Sequence, residues 1–376
     1  MRDMSSIGNS KMYRFDEKNN LVNLSNSLLA YFTGTHLNPT LPALDAILSR
    51  KKYDKVVLML FDGMGTSMIE KHLNARDFLR KHIAFEISSV FPPTTVAATN
   101  ALLSAQYPNQ TGYLGWQQYF KAPDIIVEMF TNVEPVSRVK VKGPLLSETY
   151  CPYISILDRI AETRSIHCES LYPVSIRSGT AVSFNDFFIR ADHLMKNSDS
   201  HFCYCYWPEP DSLIHRYGTG HNAVRAKIKQ INWKVETLVK SNPDNLIIVL
   251  ADHSLVDSKC FDVFEHEDFA SCLKSIPSLD SRSVFFHVKE DCLDRFPLLF
   301  RKYYGDFFVL KSKQEILSEN LFGFGNNHPL FEDFLGEFMA TSVSEYGFAF
   351  QKDDLKAHHA GSVEEEYRIS VMIFNA

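Results

Sequence analysis

Five short stretches of this chain place carboxylates, imidazoles or hydroxyls where an apolar run gives way to a turn. KVVLMLFDGMG, Lys55 to Gly65, sets Asp62 after a wholly apolar segment and before Gly63. SSVFPPTTVAATNALLSAQYPNQTGYLGW, Ser88 to Trp116, follows an apolar strand with a Pro-Pro-Thr-Thr turn and then a run of small residues. It offers the hydroxyls of Thr94 and Thr95. WPEPDSLIHRYGTGH, Trp207 to His221, spaces Asp211 and His215 four apart, so on a helix they share one face. NLIIVLADHS, Asn245 to Ser254, ends its apolar run in Asp252 and His253. KAHHAGSVEEE carries His358 and His359 ahead of Ala-Gly, small residues that let a backbone or a phosphate approach closely.

Carboxylates and imidazoles beside hydroxyls, with no thiolate cluster, favour zinc, with manganese or iron as alternatives, over a structural thiolate-zinc site. Six or seven nitrogen and oxygen ligands suffice for two divalent ions. Paired ions about 3.5–4 Å apart form a clamp for in-line phosphoryl displacement. One ion would lower the pKa of a hydroxyl; the other would stabilise charge on the leaving oxygen. A threonine of the PPTT turn is then the expected nucleophile, at a helix N-terminus that favours an anionic phosphate. Each stretch taken singly also has an ordinary reading. Asp62, Thr94 and Thr95 suit helix caps, Asp211 and His215 an i,i+4 pair on a solvated face. Asp252-His253 suits a solvent-facing turn, and His358 and His359 suit a loop.

The elements that must position these groups follow from apolar periodicity. Strands are expected over Val56–Phe61, Ala84–Phe91, Ser200–Trp207 and Asn245–Ser254. Helices are expected from Thr66 to about His82, Val96 to Ala105, Asp211 to Tyr217 and Ala223 to Ser241. Strands alternating with helices predict a mostly parallel sheet covered on both faces. In such sheets ligands collect outside the carboxyl ends of the strands. From about Asp257 to Pro329 the texture changes to a compact α+β unit, read as an insertion or cap, and RISVMIF returns to the main sheet.

Composition narrows the function classes. The 376 residues are 45% hydrophobic and 22% charged, with a formal net charge of −6. With no long basic run, a nucleic-acid polymer is not the expected partner. No stretch approaches the roughly 20 uncharged apolar residues that span a bilayer. The polar opening MRDMSSIGNSKMYRFDEKNN lacks an apolar signal core, so a cytoplasmic location is expected. The seven cysteines are scattered, with no C-x-x-C pair. Reduced, mostly buried thiols are expected rather than a disulfide frame or a thiolate metal site. Cys203 and Cys205 alternate within a strand and should share one face.

The order of these motifs resembles the alkaline phosphatase superfamily: Asp-Gly after a strand, Thr before a small-residue helix, Pro-Asp-x-x-x-His, Asp-His after a strand, and a late His-Ala-Gly. More narrowly it resembles the type I phosphodiesterase/nucleotide pyrophosphatase family, from about Val56 to Ile373. The resemblance implies an α/β fold, an alkaline-phosphatase-like mostly parallel central sheet flanked by helices; with the change of texture noted above, residues 1–256 and 330–376 are expected as the core and 257–329 as an inserted α+β cap. It implies two zinc-type ions, one held by Asp62, Asp252 and His253 and contacted by the nucleophile, the other by Asp211, His215 and a late histidine. His359, followed by a small residue, matches that position better than His358. Counting back from Pro108 in LSAQYP places the nucleophile at Thr95, with a covalent phospho-threonine intermediate released by water.

Two positions depart from the family pattern. Where the nucleotide-cleaving branch has an Asn gripping a phosphate oxygen, counting from Gly112 finds Trp116, which suits stacking on a base or plain loop packing. Ser-Asp-His-Gly reads Ala251-Asp252-His253-Ser254. The expected activity is hydrolysis of a small-molecule phosphate ester, a diester or nucleotide pyrophosphate foremost. A phosphomonoesterase or phosphonate-ester hydrolase on the same scaffold, or a metal-binding homologue without turnover, is the alternative. A sulfatase is disfavoured by the absence of C-x-P-x-R.

Overall fold

The structure, a computed structural model, describes residues 12–163, 166–176, 179–197 and 199–376. Its centre is a six-stranded sheet in the order Ile83–Ser88, Arg368–Phe374, Leu246–Leu250, Val56–Phe61, Ser200–Trp207, His167–Leu171. Val56–Phe61 pairs in parallel with both neighbours, whereas Arg368–Phe374 runs antiparallel to both of its own. Every side chain of VVLMLF is buried. Val56, Leu58 and Leu60 pack into one core, and Val57, Met59 and Phe61 into a second. A strand buried on both faces reads as an unbroken apolar run, which is why this one does. Cys203 and Cys205 point together into that second core, and all seven thiols are free.

Helices cover both faces. Thr95–Ser104 is built of small residues and is buried from Val96 through Ser104. It packs beside Leu21–Thr33, where Asn26 and Asn38 donate to the carbonyl of Ala105 at 2.9 Å. The helix expected from Thr66 to His82 is broken into Thr66–His72 and Phe78–Lys81. Asn74 and Asp77 close a local turn between the pieces: Asp77 Oδ2 accepts from the Asn74 amide at 2.6 Å, and short polar side chains of this kind compete with the helical ladder. The strand expected through Ser254 ends at Leu250. Among the described residues no helix is long and apolar enough to cross a membrane.

A second six-stranded sheet lies beside the first, antiparallel throughout, in the order Phe308–Ser312, Phe338–Ser342, Ser283–Phe286, Ser278–Leu279, Gln117–Phe120, Ile125–Glu128. Half of its strands come from outside the expected 257–329 insertion. The unit is therefore wider than that boundary, because antiparallel strands distant in sequence pair without leaving any local periodic signal. One face of this sheet shares the first core through Phe120, Leu279, Phe285 and Met339. The other covers an aromatic cluster around Phe269, Phe286, Phe296 and Phe300.

A buried ion pair ties this sheet to the loop carrying His359. Arg282 and Glu366 are both fully buried. The guanidinium donates to Glu366 at 2.8 and 3.2 Å and to the carbonyls of Tyr346 and Ser344 at 3.1 and 2.8 Å. Glu366 in turn accepts from the amide of Gly361 at 2.8 Å. Arg282→Ala strands the Glu366 carboxylate in the interior, so urea unfolding should show a loss of about 3–5 kcal/mol. Buried His287, whose Nε2 lies 2.9 Å from Ser278 Oγ, is held neutral by burial, which pushes its pKa from 6.5 down to about 4. The folded state then binds fewer protons than the unfolded chain between these values, so stability falls as pH drops through that window. Denaturation midpoints measured across it should flatten in His287→Gln.

Candidate active site

Parallel strands ending in register deliver their last residues to one edge. Leu60 sits opposite both Tyr206 and Leu250, so the segments leaving the three strands meet there. Asp62 donates its amide to the Trp207 carbonyl at 3.0 Å and accepts from the Asp211 amide at 3.0 Å. Gly63 has φ +70°, and a Cβ there would stand 2.8 Å from Asp211 Cα and Cβ. Only glycine combines that left-handed backbone with that close approach. Its amide donates to Asp252 Oδ1 at 3.1 Å. Asp211–Tyr217 is the expected short helix, ending at Gly218. Because Arg368–Phe374 is antiparallel, its N-terminal end lies at this same edge, which brings in His359.

Thr95 opens its helix over this cluster. Its Oγ1 lies 3.3 Å from each oxygen of Asp62 and 3.1 Å from His253 Nε2. Thr94 occupies the cap position but makes no cap bond; its hydroxyl donates to Asp280 Oδ2 at 2.8 Å. His253 Nε2 is 3.5 Å from Asp62 Oδ1 and from Asp252 Oδ2. His215 Nε2 is 3.5 Å from Asp211 Oδ1, and its ring lies 5.0 Å from that of His359. The ring nitrogens of His358 are engaged by Ser258 and Asp353 instead, with its ring 5.9 Å from that of His215. Trp116 lines a cavity of about 420 Å³ together with Thr95, Asp211, His215 and His359. It is 37% exposed, edge-on to Phe130.

The electrostatics are unbalanced without a cation. Burial, then the Asp252 and Asp211 carboxylates, push Asp62 well above the usual carboxylate range. Burial raises Asp252 as well. Burial and the neighbouring His253, His215 and His358 imidazoles hold His359 well below its ordinary value. Asp211 Oδ1, Asp252 Oδ2 and His359 Nδ1 are buried without a hydrogen-bond partner. Buried polar atoms are otherwise almost always paired, so these orphaned atoms fit ligands of a divalent ion. Within this cluster two groups have ligand atoms within 4.8 Å of one another: Asp62, Asp252 and His253, and Asp211, His253 and His359. Backbone carbonyls face the other ring nitrogens: Ser254 O lies 3.2 Å from His253 Nδ1 and Ala357 O 2.7 Å from His215 Nδ1. That arrangement leaves Nε2 as the ligand atom of each.

Two participants carry no signal in the sequence. The Tyr206 hydroxyl donates to Asp62 Oδ2, but SHFCYCYW does not distinguish it from Tyr204. Asp280, on a loop of the second sheet, lines the cavity and has its carboxyl pKa raised by burial.

A family model described as type I phosphodiesterase/nucleotide pyrophosphatase matches residues 56–289. The chain belongs to that family. The matched span holds Asp62, Thr95, Asp211, His215, Asp252 and His253, with His359 beyond it. The fold is shared with solved family structures. An inactive threonine-to-alanine variant of murine ectonucleotide pyrophosphatase/phosphodiesterase 5, in complex with AMP, is 15% identical with a TM-score of 0.63, covering 85% of this chain and 88% of that one. The murine protein without that change gives 16% and 0.63 over the same shares, 85% and 88%. The human protein gives 13% and 0.64, covering 85% of this chain and 87% of its own. No curated protein matches the sequence.

If these side chains hold divalent ions, zinc at about 100 times its dissociation constant should stabilise the fold by about 2.7 kcal/mol per site. The melting temperature should rise with zinc and fall back with chelator, and Asp252→Ala should lose the share of the rise that belongs to its own site.

Proposed function

We propose that this protein hydrolyses small-molecule phosphodiesters, nucleotide pyrophosphates foremost, through a phospho-threonine intermediate on Thr95 at a site for two divalent ions. The observation that carries the reading is the placement of Thr95 Oγ1 between Asp62 and His253, 3.1–3.3 Å from both, in a chain of this family. Asp62, Asp252 and His253 would hold one ion, and Asp211, His215 and His359 the other. Bound there, the ions supply charge neutralisation for the phosphate and a lowered pKa for the threonine hydroxyl.

The side chains supply the positioning. Tyr206 occupies Asp62 Oδ2 from below and fixes the carboxylate under the threonine. Thr99 Oγ1 donates to the Thr95 carbonyl at 2.6 Å, within a helix buried along its length. The nucleophile therefore rides on a rigid element, with its oxygen facing the cavity and its proton in reach of Asp62. In the first step the Thr95 hydroxyl gives up its proton toward Asp62, its oxygen bonds to phosphorus, the bond to the leaving oxygen breaks, and that oxygen takes up a proton in turn. In the second, water attacks phosphorus, the threonine–phosphorus bond breaks, and Thr95 recovers its proton. The inactive threonine-to-alanine form of the murine relative, bound to AMP, supports both the nucleophile type and a nucleotide ligand. Seven free thiols support a reducing compartment, such as the cytoplasm.

A phosphomonoester or phosphonate substrate is the second reading, favoured by Trp116 standing where the nucleotide-cleaving branch has an Asn. Rates of the metal-loaded protein on aryl diester and aryl monoester substrates separate the two, with the diester expected to be faster. Thr95→Ala and Asp211→Ala should each cost about 10³-fold or more. Full activity in Thr95→Ala would remove the covalent mechanism.

A further inference from the structure

Beside the Thr95 cluster, Cys260, Asp353 and His358 bring a sulfur, an oxygen and a nitrogen within 4.8 Å of one another. They come from three segments locked together by backbone pairing. Cys260 lies on Lys259–Asp262, which pairs in parallel with Tyr346–Ala349. His358 lies on the short strand Ala357–His358, antiparallel to Val256–Asp257. Asp353 sits on the connection between Tyr346–Ala349 and Ala357–His358. We infer that these three side chains form a further transition-metal site, with zinc the best-matched ion, separate from the site of the phosphoryl chemistry.

Each of the two polar ligands has one atom held by an outside partner and the other turned toward the shared point. His358 Nδ1 is tied to Ser258 Oγ at 2.7 Å, leaving Nε2. Asp353 Oδ1 accepts from the Leu355 amide at 2.9 Å, leaving Oδ2. Such outer partners are what orients ligands in metal sites. The Cys260 sulfur lies 3.8 Å from His358 Nε2. Zinc bonds of about 2.3 Å to sulfur and 2.0–2.1 Å to nitrogen, at tetrahedral angles, put those two atoms about 3.5 Å apart. Asp353 Oδ2 now stands 2.7 Å from Nε2 and would open by about 0.6 Å, to the roughly 3.3 Å that tetrahedral zinc requires, as an ion entered between them. As the ion binds, the Sγ–H bond breaks, its proton passes to solvent, and the Sγ–metal bond forms. A Cys-His-Asp set suits zinc or cobalt(II) and disfavours magnesium and calcium, which take oxygen ligands. Three protein ligands leave a fourth position open. Asp353 and His358 line the 420 Å³ cavity, so the ion would form part of its wall.

Cobalt(II) loading of the full chain tests this, because the proposed thiolate ligand belongs to this site and none belongs to the Thr95 cluster. The expected result is a thiolate-to-cobalt charge-transfer band in the near ultraviolet. It should be lost in Cys260→Ser and diminished in Asp353→Asn, with about one metal equivalent less in Cys260→Ser. Circular dichroism checks that both variants are folded, and Asp353→Asn carries the test if Cys260→Ser is not. No such band, or a band and metal content unchanged in both variants, overturns the inference; a plain imidazole–carboxylate hydrogen bond between His358 and Asp353 then accounts for the cluster. Failure of the Thr95 site reads differently: Asp252→Ala would weaken the visible cobalt bands from nitrogen and oxygen ligands while the thiolate band persisted.

Discussion

Three aspartates with no counter-charge of their own are forced into one small volume, and the architecture around them answers to that constraint. Asp62, Asp211 and Asp252 arrive together because three parallel strands end in register, an arrangement set by burial of their apolar runs on both faces. Hydrogen bonds from Tyr206 and from the Gly63 and His253 amides relieve their repulsion only in part. It appears as the raised carboxyl pKa of Asp62 and Asp252 and as unpaired oxygens on Asp211 and Asp252. Such a cluster lowers the stability of the protein and favours any multivalent cation able to enter it. Folding free energy supplied by the rest of the structure thus holds this candidate cation site together.

That support must be stiff, since a shift of an ångström would disperse the ligands. It comes from groups that do no chemistry. The Asp252 carboxylate is pinned through Oδ1 by the amides of Gly63 and His253. His215 is turned by the Ala357 carbonyl. The Arg282–Glu366 pair fastens the His359 loop to the second sheet, and the Ser254 amide, next to His253, donates to the Glu366 carbonyl at 3.0 Å. Loss of that pair would therefore loosen two of the imidazoles together.

Much of this was legible in the sequence, because the chemistry sits where apolar runs stop. VVLMLF followed by Asp-Gly, NLIIVLA followed by Asp-His, and Asp211 with His215 four residues on each declare both an element and its functional end. What was not legible depends on tertiary pairing. Tyr206 shares a strand face with Tyr204 and differs only in lying two residues nearer the strand's carboxyl end, where its hydroxyl reaches Asp62. Asp280 matters because a loop of the second sheet folds over the PPTT turn, and no local pattern reports contact across such a distance. The extent of the second sheet was hidden for the same reason: Gln117–Phe120 and Phe338–Ser342 join it from far apart in the chain.

The two ambiguous doublets in the sequence share one physical explanation. Successive side chains of extended backbone point to opposite sides, so neighbouring residues of like chemistry can serve two different surroundings. Thr94, extended at φ −140°, turns to Asp280, while Thr95, the first helical residue, turns to Asp62 and His253. His358 turns to Ser258 and Asp353, while His359 turns to His253 and His215. In each pair one member reaches the buried carboxylates and the other braces the segment that holds it. The bracing residue of one pair reaches the second sheet, and that of the other reaches the small paired strands around Cys260. The doublets therefore join the reacting edge of the main sheet to both structures that wall the cavity, and exchanging the roles within either pair would require a slip of the backbone by one residue.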